Sequence, residues 1–236
     1  MSRADAQKPE QIRVDVSPSE HVTGLAYRAA PGGQRVIVVL AHGAGANQAS
    51  SFMVRFATSL AARSIDVVTF NFVYTEQRRR VPDRNDKLEH CYRAVIEAVR
   101  SGKFHDDASR RKLVIGGKSM GGRIASQVAA GDQEGIAGLV FLGYPLHPPG
   151  RPDKLRSKHL PDICAPMLFV QGSHDAFGTP DELRAIFGEL DVAADLFVVE
   201  GGDHSFKVPK RSAVPQEQVY EFVLDEIVRW LRVKVG

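Results

Sequence analysis

The chain is poor in cysteine and tryptophan, with two of the first and one of the second in 236 residues. Cys91 and Cys164 stand far apart, in different predicted elements, and neither has metal-ligand spacing. A disulfide framework and a zinc site are therefore not expected, and a reducing cytoplasm is the default location. No apolar run approaches the ~20 residues of a membrane span, so no membrane association is expected. The stretch from Met1 to Pro18 is polar and lacks the apolar core of a secretory leader. Charge of one sign is also scarce. Lys and Arg total 31 against 28 Asp and Glu, a net charge of +3, which gives no argument for a nucleic-acid partner. Internal repeats and low-complexity segments are missing.

What remains is an ordinary soluble composition, 43% hydrophobic and 25% charged. This length and balance suit one globular domain over residues 10–236, with residues 1–9 a flexible N-terminus. Ile12–Val16 and Val22–Arg28 alternate with period two around a polar turn, and predict an antiparallel start to a sheet. From Val36 the pattern changes. Val36–Ala41, Asp66–Phe72, Lys112–Gly116, Ala137–Gly143, Pro166–Gly172 and Ala194–Val199 are apolar enough for strands. Helical patterns fall between or after them at Ala49–Ser64, Asp86–Ser101, Gly121–Ala130, Pro180–Leu190 and Gln216–Val233. Strand–helix alternation of this kind predicts an α/β fold: a mostly parallel, doubly wound sheet of about eight strands.

In such sheets chemistry collects in the loops at the carboxyl ends of the strands. Gly117-Lys118-Ser119-Met120-Gly121 lies between a predicted strand and a small-residue helix, the context of a nucleophile elbow. A serine needs a base, and eight histidines are available. His204, in Gly201-Gly202-Asp203-His204, follows the last strand on a glycine-flanked loop. Asp175, in Gly172-Ser173-His174-Asp175, follows the strand before it and can orient that histidine. Asp203 and Glu200 are rival acids and His174 a rival base, each less well placed. The expected catalytic set is Ser119, Asp175 and His204. Oxyanion donors are expected from the N–H groups of Met120 and Ala44, with Gly45 a near alternative. His42, Gly43, Tyr74 and His147 are candidate substrate-binding residues, although a plain surface position is the simpler reading of His147.

On these motifs the chain resembles the α/β-hydrolases over nearly its whole length. Asn71-Phe72-Val73-Tyr74-Thr75-Glu76-Gln77 and the segment around Ser119 are similar to a narrower group. It takes in small predicted hydrolases, the Tex30 type, a hydrolase-like domain of a chromatin-complex subunit and, loosely, dienelactone-hydrolase-like proteins. The resemblance implies a serine hydrolase with no cofactor, and the triad read from the loops is expected to act on a small-molecule ester-type substrate. Dienelactone hydrolases proper use a cysteine where Ser119 stands. Thioester, lactone or peptide cleavage, or cofactor-free perhydrolysis, would use the same triad, and a hydrolase-like binding module is the reading from another class.

Two long loops shape the expected site. Tyr144–Ala165 carries Pro145, Pro148, Pro149, Pro152 and Pro161 and is too short for a multi-helix cap, so a minimal lid is expected, with a helical turn at most over Lys154–Leu160. Tyr74–Lys87 carries Arg78, Arg79 and Arg80, read as a solvated charge run or, more sharply, as a lip steering anionic esters. Lys118 is expected to pack its stem and keep its ammonium wet. The final helix has an apolar stripe for core, or less simply for a dimer contact, so the chain is expected to be a monomer or homodimer.

Overall fold

The computed structural model describes residues 8–29, 35–105, 107, 110–188, 190 and 193–236. Most of the expected flexible N-terminus, residues 1–7, lies outside the described residues. Eight strands form one sheet: β1 (Glu10–Ser17), β2 (Glu20–Tyr27), β3 (Val36–Ala41), β4 (Asp66–Phe70), β5 (Lys112–Lys118), β6 (Ile136–Leu142), β7 (Met167–Gly172) and β8 (Ala194–Val199). Their order is β1-β2-β4-β3-β5-β6-β7-β8. β1 runs antiparallel to β2, and β2 to β4; every later pairing is parallel.

β3, β4 and β7 are buried at every position, because helices cover both faces of the sheet. α1 (Ser51–Ala62) and α6 (Gln216–Trp230) pack on one face, where Phe56, Leu60, Val223, Ile227 and Trp230 meet Val38, Val114 and Leu168. α3 (Asn85–Arg100), α4 (Met120–Gly131) and α5 (Pro180–Phe187) cover the other, with Tyr92, Val95, Ile124 and Leu183 against Val39, Ile115 and Phe169. The stripe of α6 thus faces the core. Beyond Trp230 the helix widens into a π-helical segment over Leu231–Val235.

Two details differ from the sequence reading. A four-residue helix, α2 (Val73–Glu76), opens the charged loop after β4. The Tyr144–Ala165 segment is irregular apart from a 3-10 turn at Leu160–Asp162, so the helical turn forms at the far end of the expected stretch. Among the described residues no helix is long and apolar enough to cross a membrane.

Candidate active site

The elbow follows from crowding. Ser119 is the N-cap of α4 and takes φ 51° and ψ −116°, a conformation that costs a non-glycine residue about 1–3 kcal/mol. Such a turn holds only if β5 and α4 can approach β3 closely. A Cβ at Gly117 or at Gly121 would run into the carbonyl oxygen of Ala41, so both positions must be glycine. The Ser119 N–H donates to Leu142 O at 3.1 Å, which ties the turn to the end of β6.

Three expected residues meet there. Asp175 is buried in the loop after β7, and its Oδ2 accepts from His204 Nδ1 at 2.7 Å. With that nitrogen protonated, His204 Nε2 is free to accept from the Ser119 hydroxyl, 2.8 Å away. An unbroken relay therefore runs from carboxylate to imidazole to hydroxyl. Asp203 turns back on its own loop, its Oδ1 accepting from the N–H groups of Ser205 and Lys207 at 2.7 and 2.9 Å.

Residues outside the three support this relay. Gln171, buried at the end of β7, donates to Asp175 Oδ2 at 2.8 Å and to Gly178 O at 2.7 Å, while its Oε1 accepts from Tyr144 N–H at 2.8 Å. Phe177 N–H donates to Asp175 Oδ1 at 2.8 Å, and the Phe177 ring lies 4.3 Å from the His204 ring, tilted 30°. A polar residue closing an apolar strand was the one available signal for Gln171. Lys118 reverses its expectation. It is buried, and its Nζ donates to His204 O at 2.6 Å. Burial pushes the pKa of the ammonium down to about 8, partly opposed by Asp175 and Asp203.

Ser119 and His204 open into a cleft of about 570 Å³, whose walls include Ala44, Phe52, Met120, Arg123, Arg156 and Phe177. Among the described residues neither Met120 N–H nor Ala44 N–H donates a hydrogen bond, and both residues border the cleft; Gly45 does not. Gly43 also lines it, lying so close that a Cβ there would come 3.5 Å from Ser119 Cβ.

The other three candidates for substrate contact are elsewhere. His42 is fully buried. Its Nδ1 donates to Gly43 O at 2.8 Å, and its Nε2 accepts from Phe72 N–H at 3.3 Å and the Thr75 hydroxyl at 3.2 Å. Burial lowers its pKa, and the neutral ring clamps the loop after β3 to α2. Tyr74 is buried edge-on to His42, with ring centroids 6.0 Å apart. His147 is neither on the surface nor in the cleft. It is buried, donates through Nδ1 to Pro148 O at 2.9 Å, and sets Nε2 3.2 Å from Glu182 Oε1.

Arg78, Arg79 and Arg80 do not line the cleft; that loop reaches it further on, through Pro82, Asp83 and Asn85. Arg79 is spent on Asp83, at 2.6 Å. The cations that border the cleft are Lys118, Arg123 and Arg156. Among the described residues no cluster of three His, Cys, Asp or Glu side chains could hold a metal ion.

This combination of sheet order, strained serine turn and carboxyl-edge loops defines the α/β-hydrolase class. The profile of the family described as the alpha/beta hydrolase domain matches residues 34–232, and the chain belongs to that family. Solved structures of the same fold are similar along its whole length. An alpha-beta serine hydrolase homologue from Coxiella burnetii is 18% identical, with a TM-score of 0.73, covering 98% of this chain and 100% of that one. A dienelactone hydrolase from Anabaena variabilis is 20% identical, with a TM-score of 0.74 and the same coverage. A Xanthomonas campestris serine hydrolase described as lacking a lid is 19% identical, with a TM-score of 0.73, covering 98% of this chain and 97% of that one.

Proposed function

We infer that this chain is a serine hydrolase that cleaves small esters through an acyl-enzyme. One observation carries the reading: the Ser119–His204–Asp175 relay ends at a hydroxyl that opens into a cleft. Ser119 Oγ attacks the ester carbonyl while His204 Nε2 takes its proton. Asp175 fixes the Nδ1–H tautomer and stabilises the imidazolium that forms. The N–H groups of Met120 and Ala44, both unengaged, hold the oxyanion. His204 returns the proton to the leaving alcohol, then activates water to release the acid. A small ester suits the cleft, since the Tyr144–Ala165 segment builds no cap under which a long acyl chain could be buried.

Labelling with a fluorophosphonate probe tests this directly. Wild type is expected to label and Ser119→Ala to remain unlabelled with its fold intact. A folded wild type that takes up no probe would overturn the assignment.

A further inference from the structure

Arg123 is expensive to keep where it is. It is the fourth residue of α4, one turn beyond Ser119, with its backbone N–H donating to Ser119 O at 3.1 Å. That turn is the positive end of the helix dipole, the wrong end for a cation. The side chain is mostly buried, its Nε has no hydrogen-bond partner, and burial together with the neighbouring Arg156 lowers its pKa. Its remaining nitrogens reach only amide oxygens, Gln127 Oε1 at 3.1 Å and Asn85 Oδ1 at 3.2 Å. Among the described residues no carboxylate pairs with Arg123 or with Arg156, whose guanidinium has one contact, Pro145 O at 3.4 Å.

The two guanidiniums nevertheless border the same cleft as Ser119. Arg156 is brought there by its own backbone. Its N–H donates to Leu146 O at 2.8 Å, and its carbonyl accepts from the buried Tyr144 hydroxyl at 2.8 Å. The other charges of the cleft are already used, Asp83 by Arg79 and Lys118 by the His204 carbonyl. Desolvation, like-charge repulsion from Arg156 and the helix dipole all oppose the Arg123 charge, and Tyr144, Glu89 and the two amide oxygens offset them only in part, with no ion pair formed. A planar oxyanion entering the cleft would relieve all three, since a guanidinium fork matches a carboxylate with two parallel hydrogen bonds.

We propose that Arg123 and Arg156 form an anion subsite beside Ser119, and that the substrates are esters bearing a carboxylate a few bonds from the scissile carbonyl. This rests on the hydrolase reading for where the ester sits.

The experiment compares three esters. Mono-4-nitrophenyl adipate carries the carboxylate on the acyl side, 3-carboxy-4-nitrophenyl hexanoate on the leaving side, and 4-nitrophenyl hexanoate on neither. Wild type is expected to favour one of the anionic esters over the neutral one by about tenfold or more in kcat/KM. Arg123→Gln with Arg156→Gln should bring that ratio towards one, while the double Lys variant, which keeps both charges, retains part of it. No anionic preference in wild type, or an unaltered ratio in the Gln variant, overturns the proposal. Binding of monomethyl adipate to Ser119→Ala, by calorimetry, separates this from the hydrolase reading. If no ester is turned over, that reading falls, and the arginine subsite stands or falls on whether this binding is present and lost on adding the two Gln substitutions.

Discussion

Ser119 is held in a costly backbone conformation by two positions that cannot carry a side chain. Gly121→Ala puts a methyl group against Ala41 O and should leave little folded, soluble protein, measured by circular dichroism and thermal melting. Asp175→Asn is a milder change in shape. It should keep the fold and lower kcat by about 10³–10⁴, because the amide no longer selects the Nδ1–H tautomer of His204. Ser119, Asp175 and His204 were legible because each follows a strand with glycines around it, and that pattern is local. Gln171, Phe177 and Lys118 were not. Their roles depend on which loops meet at the sheet edge, and an isolated Gln, Phe or Lys is equally consistent with surface or core. His42 misled for the same reason. A histidine next to a strand-end glycine resembles a site residue until the clamp to Phe72 and Thr75 is seen.

At the level of elements, α5 begins four residues after the acid's loop residue Ala176, and a capping box fixes where it starts. Thr179 Oγ1 accepts from Glu182 N–H at 3.3 Å, and Glu182 Oε2 accepts from Thr179 N–H at 2.7 Å. Thr179→Ala should cost about 1 kcal/mol of stability by denaturant titration. The alternation of strands and helices was readable throughout, since a buried parallel strand and an amphipathic helix leave different periodicities. α2 escaped detection because four residues in a charged loop make no period. The arginines after it attracted notice by composition, yet the guanidiniums at the cleft come one from a helix of small residues and one from a proline-rich loop.

For the whole molecule, two bases, Lys118 buried and His159 partly buried, couple stability to pH. Folded Lys118 loses its proton near pH 8, whereas the unfolded chain keeps it up to the ordinary value of 10.5. Across that window the unfolded state binds more protons, so this residue makes stability rise with pH. Melting curves of Lys118→Met should lack that share of the rise. His159 acts in the acid range. Its Nε2 lies 2.7 Å from Ser126 Oγ, fastening the Tyr144–Ala165 segment to α4, and burial beside Arg123 drops its pKa to about 4 from 6.5. As pH falls through that interval the unfolded state gains a proton that the folded state refuses, and stability declines. His159→Gln should flatten this acid-side loss.

That fastening has a kinetic side. The segment is braced within itself by the Arg156 N–H on Leu146 O and the Tyr144 hydroxyl on Arg156 O, and is held to α4 where His159 and the Tyr144 hydroxyl meet Ser126 Oγ, so among the described residues the cleft has walls but no door. Where no lid has to swing, solvent friction has nothing to slow within the enzyme. With chemistry limiting, ester turnover at saturation should therefore be indifferent to added sucrose, and a kcat that falls in proportion to viscosity would put product release or a moving part in the limiting step.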